Sequence, residues 1–282
     1  KLHATATAAG YMRARSHELL SIATCPILVP ALKEVGPIAA RAIGAVIGDC
    51  DVLVTATATG IDVAVKSEKS FRPEKLVPVA QRLKLARLSL NGETILQSRS
   101  PVVQMGRARV ELPPASFLQA TAVAEDTLAQ LVLEGIGAPK SVVDLFSGVG
   151  PFALRIGERA RVAAFDSDRA AIEALNKAMR FTQGLKPVTG LPRGLFRDPL
   201  APVELEAYDA VVFDPPRAGA EAQSREIARS KVKRVVAVSC EPRTFVRDAS
   251  LLIAGGYKLE RVTPVDQFAW SPHVEIVGVF RR

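Results

Sequence analysis

The chain has little of what builds metal centres or disulfide scaffolds. Its 282 residues include three cysteines and three histidines, well scattered. Three cysteines exclude a disulfide framework and fit a reducing cytoplasm. A zinc site built from this chain alone is not expected. No apolar run reaches the roughly 20 residues of a membrane-spanning helix, so no membrane partner is expected. Lys1 to Gly10 lacks the apolar centre of a signal peptide. No internal repeat or low-complexity tract stands out.

What is present points to a folded protein. Hydrophobic residues make up 48% and charged residues 23%, enough for a buried core. The length suits one large domain or two ordinary ones. The formal net charge is +8, and it is uneven. Residues 1–112 carry 15 Lys/Arg against 9 Asp/Glu, whereas residues 113–282 carry 22 against 20. A basic excess suggests a polyanionic partner, most simply nucleic acid; a solubility surface is the alternative.

The texture changes near Leu112-Pro113-Pro114, which divides the chain into residues 1–112 and 113–282. In the first part, Asp51 to Thr59 and Ile61 to Lys66 read as strands joined by a hairpin-like turn at Gly60. Ile27 to Ile47 reads as more helical, interrupted by Pro30 and Gly36-Pro37. This part is expected to be a small α+β domain. The second part alternates apolar strands and helices. Phe117 to Leu133 reads as a helix, Ser141 to Phe146 as a strand, and Pro151 as the first turn of a helix after a Gly-rich loop. A strand at Arg161 to Phe165 and a helix at Asp168 to Gln183 follow, the helix with Ile172, Leu175 and Met179 on one face. Strands at Tyr208 to Phe213, Arg234 to Ser239 and Val274 to Phe280 complete the pattern, with a helix at Arg243 to Ala254 ended by Gly255-Gly256. The expected fold class is α/β, Rossmann-like: a largely parallel sheet with helices on both faces. Ligands of such sheets bind beyond the carboxyl ends of the strands.

Asp144-Leu145-Phe146-Ser147-Gly148-Val149-Gly150 ends the first of these strands. Its glycines let the backbone turn and approach a ligand closely. Asp166 ends the next strand, where a carboxylate can accept both hydroxyls of a ribose. Gly148, Gly150 and Ala153 also match a dinucleotide fingerprint. A nicotinamide enzyme is disfavoured, because Asp144 would repel a pyrophosphate but can meet an ammonium group. A cationic nucleotide bearing an amino acid, S-adenosylmethionine, fits better.

Two later strand ends carry reactive groups. Phe213-Asp214-Pro215-Pro216-Arg217 is a rigid turn without two backbone donors; it can hold Asp214 against a planar base or against the cofactor. Val238-Ser239-Cys240-Glu241-Pro242-Arg243-Thr244 opens a helix. The helix start, Arg243 and Arg247 are expected to favour the Cys240 thiolate, and Glu241 opposes them unless it points away. Cys25 and Cys50 read as buried small hydrophobes. Glu275, on the opposite face from Val274 and Ile276, can serve as a general base; His273 can position its segment.

In combination and order, Phe117-Leu118-Gln119, Asp144 to Gly150, Asp214 to Gly219, Ser239 to Thr244 with Arg247-Asp248, Asp266-Gln267-Phe268 and His273-Val274-Glu275 resemble the S-adenosylmethionine-dependent RNA uracil carbon-5 methyltransferases that act on tRNA or ribosomal RNA. The resemblance covers nearly all of residues 10–282. It implies a class I methyltransferase domain over 113–282, preceded by a basic RNA-contacting domain over 1–112, in a cytoplasmic enzyme that works as a monomer. Gln119, Phe146, Gly148, Asp166 and Asp214 are then cofactor-site residues, Gln119 reaching towards the base as well. Cys240 is the nucleophile and Glu275 the base. The related cytosine-methylating enzymes carry a cysteine in the Pro-containing loop too; Asp214-Pro215-Pro216-Arg217 has none, which favours uracil.

The chain departs from the family pattern at several points. Pro151 replaces a usually polar residue, and Ser147 stands where cysteine is frequent. Gly194 occupies the place of an acidic residue that meets the adenine, with Asp198 as the alternative carboxylate. Many members bind a [4Fe–4S] cluster through four cysteines. Cys25 in Thr24-Cys25-Pro26-Ile27 resembles the fourth ligand, and the others would precede residue 1. The small RNA-binding barrel with which members often begin is likewise not found. The opening at Lys1 fits a piece of a longer protein or a short homologue. Gly10-Tyr11-Met12-Arg13-Ala14-Arg15 resembles the basic segment after the cluster cysteines. A catalytically impaired RNA- and cofactor-binding module of the same fold is the alternative function.

Overall fold

The computed structural model describes residues 1–13, 16–268 and 270–282. Ala14 and Arg15 of the basic segment lie outside the described residues. The chain forms two compact units, Lys1–Val103 with Glu111–Ser116, and Gln104–Val110 with Phe117–Arg282. The expected boundary at residue 112 therefore sits inside an exchange of short segments.

The first unit holds a seven-stranded sheet. Its strands are β1 (Leu2–Ala4), β2 (Ala9–Met12), β3 (Leu19–Ser21), β4 (Cys50–Thr57), β5 (Gly60–Lys66), β6 (Arg87–Leu90) and β7 (Glu93–Gln97). They lie in the order β3-β2-β1-β4-β5-β6-β7, and only β5 and β6 run parallel. The hairpin read at Gly60 is β4–β5, with Thr57 opposite Gly60. Helix α1 (Val35–Ile47) buries Ala39, Ala40, Ile43 and Ile47 with Val52, Val63 and Val65 of the sheet. Pro37 falls in its first turn, where no backbone donor is lost. A second helix, α2 (Val77–Arg82), adds Val79 and Ala80 to the same core. Arg87 and Asp62 form a fully buried two-pronged ion pair, at 2.9 and 2.7 Å. The same guanidinium donates to the carbonyls of Leu112 and Pro113, so the 111–116 segment is pinned to β6. Strands β8 (Val102–Met105) and β9 (Ala108–Glu111) form a two-stranded sheet. At its tip the Arg107 amide donates to Glu158, which helps explain why 104–110 group with the second unit.

The second unit is the α/β domain. Its elements are α3 (Ala122–Ile136), β10 (Ser141–Leu145), α4 (Ala153–Ile156), β11 (Arg161–Asp166), α5 (Arg169–Phe181), β12 (Val188–Pro192), α6 (Pro202–Leu205), β13 (Ala210–Phe213), α7 (Glu221–Arg229), β14 (Arg234–Ser239), α8 (Pro242–Ala254), β15 (Lys258–Val265) and β16 (Glu275–Arg281). The sheet order is β12-β11-β10-β13-β14-β16-β15. The first five strands are mutually parallel, and β16 runs antiparallel to both β14 and β15. Alternate residues of the central strands enter opposite cores. Val143, Leu145, Val211, Phe213, Val235 and Ala237 pack with Ile227 of α7 and Phe245, Ala249 and Leu252 of α8. Val142, Ala210, Val212, Val236 and Val238 pack with Leu128, Val132 and Ile136 of α3 and Leu175 of α5. That two-sided burial is why these strands read as unbroken apolar runs.

Two helices differ from the reading. The helix over 117–133 begins at Ala122, because the Thr121 side chain accepts the Ala124 amide and caps it; a threonine at this position stops the helix from extending backwards. Gln119 is thereby left outside the helix. The helix after the glycine loop is only Ala153–Ile156, with Pro151 in the turn before it.

Candidate active site

Four strand ends converge at one edge of the second sheet. β10, β11, β13 and β14 present their carboxyl ends together because they are parallel. β16 arrives from the other direction, so its first residue lies at the same edge, and Ile276 pairs with Ser239. Glu275, the opening residue of a strand, thus joins residues that close strands.

The glycine loop turns at Phe146, whose φ is +61°, a region rarely occupied by residues other than glycine. Its ring packs against Phe196, with centroids 5.4 Å apart. Gly148, at φ +51°, faces open space where a side chain would otherwise stand, leaving a bare backbone surface. Its amide donates to Asp166 at 2.9 Å, and the Asp168 amide donates to the other oxygen at 2.8 Å. These two bonds fix the Asp166 carboxylate at the end of β11 and leave its remaining lone pairs free.

Asp144 is fully buried, and neither of its oxygens has a hydrogen-bond partner; the Ser147 hydroxyl is unpaired as well. Burial pushes the Asp144 carboxyl far up, with Asp214 and then Asp166 adding to it. The Ala153 amide opposes this but does not reach hydrogen-bonding geometry. A buried carboxylate without a donor is costly. Its chemistry suits a cationic group placed above the loop. With the bare Gly148 backbone and the fixed Asp166, the residues present fit the amino-acid and ribose parts of S-adenosylmethionine.

Gly194, which the resemblance sets beside the adenine, also faces open space. Asp198 is engaged by Arg193 at 3.0 Å, and Arg193 is held in turn by Glu204 at 2.6 Å. The alternative carboxylate is therefore already paired.

Further along the same sheet edge stand Asp214, Cys240 and Glu275. Asp214 follows β13, and its carboxyl is pushed up to about 7, first by burial and then by the Glu275 charge. Glu275 is 4% exposed. Burial raises its pKa, while a hydrogen bond from Gln267 and the Arg217 charge act against that rise. The Cys240 thiol is half-buried and its pKa is raised, chiefly by burial, then by Glu275 and Asp214.

This corrects the expectation that Arg243, Arg247 and the helix start favour the thiolate. Glu241 caps α8 itself, accepting the Arg243 amide at 3.2 Å, so a carboxylate already occupies the helix's positive end. Arg247 is spent on Asp248 at 2.8 Å, on the Ala218 carbonyl at 3.0 Å and on Glu221 at 3.5 Å. The cation that acts on Cys240 is Arg217.

The Pro-Pro turn is clamped onto α8. Thr244 donates to the Arg217 carbonyl, and the Ala220 amide donates to Asp248 at 2.6 Å. Gly219 sits between them at φ +75°, where any side chain would run into Arg247 and Asp248. Sequence reasoning assigned no role to Arg217 or Gln267, although both stand inside quoted motifs. Arg217 lies 3.5 Å from His273 as well. Gln119 donates to Asp214 at 3.2 Å, which ties the segment before α3 to the turn after β13.

Cys25 and Cys50 are buried, as expected of small hydrophobes. Tyr11 donates to Cys25 at 3.5 Å. No group of three or more His, Cys, Asp or Glu able to hold a metal occurs among the described residues. One thiol cannot supply the four ligands of a [4Fe–4S] cluster, and no step is assigned to such a centre. Among the described residues no helix is long and apolar enough to cross a membrane.

Comparison with known proteins shows the family. The family model described as tRNA (uracil-5-)-methyltransferase matches residues 75–282. An RNA methyltransferase of Brucella suis is 47% identical over 97% of this chain and 67% of its own length. The 23S rRNA (uracil(1939)-C(5))-methyltransferase of Cronobacter sakazakii is 28% identical over 97% of this chain and 66% of its own. In fold, the chain is similar to the Pyrococcus abyssi tRNA (uracil-54, C5)-methyltransferase, with a TM-score of 0.78 at 20% identity, over 99% of this chain and 74% of that one. A family model over most of the chain and relatives of this identity lead to one assignment: the chain belongs to the tRNA (uracil-5-)-methyltransferase family of RNA methyltransferases.

Proposed function

We propose that the chain methylates carbon 5 of a uridine in ribosomal RNA, or in tRNA, through a transient bond between Cys240 and the base. The observation that carries this reading is that Asp214, Cys240 and Glu275 stand at the ends of adjacent strands on one sheet edge, with both carboxyls joined through Gln119 and Gln267. The named relatives act on uracil in 23S rRNA and in tRNA. The first is similar in sequence across nearly the whole chain, which supports the reading of ribosomal RNA as substrate, while the family model is named for tRNA.

The chemistry makes these residue types necessary. Carbon 5 of uracil is a weak nucleophile. When the Cys240 thiolate adds to carbon 6, the electrons of the ring double bond move onto carbon 5 as an enolate. S-adenosylmethionine, when bound, would supply an electrophilic methyl group to that carbon, the methyl–sulfur electrons staying on sulfur as S-adenosylhomocysteine. Asp144, Phe146, Gly148 and Asp166 would hold that cofactor. Carbon 5 then carries both the methyl group and its original hydrogen. Glu275 takes the proton, the C–H electrons restore the double bond, and the carbon 6–sulfur bond breaks to release the Cys240 thiolate. Asp214, as a carboxylate, can accept the N3–H of uracil, a donor that cytosine lacks. The target base must leave its stack to reach these groups.

The direct test is incubation of the full chain with methyl-labelled S-adenosylmethionine and RNA that lacks the modification, followed by nucleoside analysis. Labelled 5-methyluridine is the expected product. Cofactor and RNA binding without product would instead make the chain a binding module.

The basic first unit is proposed to hold RNA through its phosphates. Lys66, Lys69, Arg72 and Lys75 form its densest cluster, and all four are exposed. Reversing all four charges is expected to weaken RNA binding by about tenfold or more at low salt and to flatten its salt dependence. Affinity for S-adenosylhomocysteine should stay unchanged. Unaltered RNA affinity would show that the cluster is only a solvated face.

A further inference from the structure

We propose that Gln267 is a positioning residue of the reaction, whose side-chain amide locks the base Glu275 and the Gln119 amide into one polarised hydrogen-bonded chain. The proposal rests on the reading that Cys240 attacks and Glu275 removes the proton.

The polarity of the chain begins at a backbone group. The Ala120 amide lies 3.1 Å from one end of the Gln267 side chain. A backbone N–H can only donate, so that end is the oxygen Oε1. The nitrogen Nε2 therefore faces the other way. It donates to Gln119 Oε1 at 2.9 Å and to Glu275 Oε1 at 3.0 Å. Both of its hydrogens are used. With its oxygen committed, Gln119 must turn its own Nε2 towards Asp214, where it donates at 3.2 Å. One backbone amide thus fixes the orientation of two side-chain amides, and the series ends on the two carboxyls that flank Cys240. Removing Gln267 frees Gln119 to flip and removes a donor from a buried base.

The groups facing Glu275 make the consequence specific. From the turn after β13 come Asp214 and Arg217, and from the end of β14 comes Cys240. Gln267 and Arg217 are the groups that favour the ionised form against burial. Without the Gln267 donor only Arg217 remains, and Glu275 holds its proton to higher pH. A protonated Glu275 cannot take the proton from carbon 5, so the step that suffers is release of the methylated adduct, not its formation.

The test compares Gln267→Met, which keeps length without a donor, and Gln267→Glu, which keeps an acceptor and adds charge, with Glu275→Gln in the full chain. Release of 5-methyluridine should fall about tenfold or more, the loss expected when a hydrogen bond to a charged group is removed. KM for RNA should stay within about threefold. A denaturant-stable protein–RNA adduct should accumulate in both Gln267 variants, and for Gln267→Met it should fade, with turnover recovering, as pH rises by about one to two units. Turnover of Gln267→Met within about twofold of the parent overturns the proposal. So does loss of adduct and product together at every pH, which is the mark of a merely structural residue. If Glu275→Gln itself yields no adduct, the assignment of the base fails and this proposal falls with it. An adduct in Glu275→Gln but in neither Gln267 variant defeats the positioning role alone.

Discussion

Cys240→Ala is expected to abolish methyl transfer to RNA, by a factor of about 10⁴ or more, while S-adenosylhomocysteine still binds. Among the described residues at the strand ends Cys240 is the one thiol, and the hydroxyl of its neighbour Ser239 is already bonded to the Glu241 backbone. Asp214 and Glu275 are carboxylates, and their adducts with a pyrimidine would not supply the electron push that a thiolate gives. The side chain is only partly buried, so its truncation opens no core cavity and the melting temperature should hold. The cofactor loop is built on β10 and β11, away from this residue, which is why affinity for the nucleotide is expected to survive. The two other thiols provide the contrast. Cys25 and Cys50 are buried in the first unit, and the Cys50 thiol is pushed up to about 11 by burial, Asp49 and Asp51. Replacing either by alanine should leave the reaction intact. The environment of Cys240 also sets a pH dependence. Burial and two neighbouring carboxylates hold its proton more tightly than in a free thiol. The thiolate fraction at neutral pH is then below the few per cent of an ordinary cysteine. The rate constant kcat/KM should climb with pH, by up to about tenfold per unit, until the thiol is titrated. The deprotonation of Asp214 near 7 pushes in the same direction, since its carboxylate form accepts the base. A Cys240→Ala enzyme that kept even about a tenth of its activity would remove the covalent step altogether.

Much of this was legible because chemistry and strand ends coincide in a parallel sheet. β10, β13 and β14 announce themselves as apolar runs, since both their faces are buried. The glycine loop, the Pro-Pro turn and Cys240 follow those runs directly in sequence, so locating the strands brought the candidate site residues to one sheet edge. The parts that escaped did so for physical reasons. Helix α7 buries Gln223, Ser224 and Ile227; one apolar residue in three gives no helical periodicity to read. β15 is an edge strand with alternating exposed polar residues and a proline, a composition that suits an edge and resembles a loop. Sequence gives no strand direction, so the sharing of an edge by the start of β16 and the ends of its neighbours emerges only from the antiparallel pairing with β14. The misreading of Arg247 has the same origin. Its proximity to Cys240 in sequence suggested a charge partner, but its carboxylate partner Asp248 is adjacent in sequence and its carbonyl partner Ala218 is 29 residues away. The bonds of Gln267 to Gln119 and Ala120 span 148 and 147 residues, beyond any local pattern.

Glu275→Gln is the complementary result: it is expected to trap the reaction half-way. Glutamine keeps the size of glutamate and can still accept the hydrogen bond that Gln267 gives to Glu275 at 3.0 Å. It cannot take a proton. Addition of Cys240, which needs no base at Glu275, proceeds, and so does methylation. The product of those steps is a saturated ring joined to sulfur at carbon 6, with carbon 5 bearing methyl and hydrogen together. Elimination requires that hydrogen to leave as a proton, and the one carboxylate assigned to that task is gone. Turnover should fall by about 10²- to 10⁴-fold, the usual contribution of a positioned general base. A labelled protein–RNA band that survives denaturation should appear with stoichiometry approaching one per enzyme. Digestion should place the modified nucleotide on the peptide containing Cys240. The raised pKa of Glu275, set by burial against Gln267 and Arg217, matches the demand, because a base poised nearer neutrality holds the proton it removes more firmly than an ordinary carboxylate. Asp214 is the rival base, being buried and half-titrated near neutral pH. The two separate cleanly. If Asp214→Asn accumulates the adduct and Glu275→Gln releases product at the parental rate, the proton goes to Asp214. If Glu275→Gln blocks the formation of any adduct, the carboxylate acts before methyl transfer, as the acceptor of the Cys240 proton. Accumulation in Glu275→Gln alone leaves Glu275 as the base that completes the cycle.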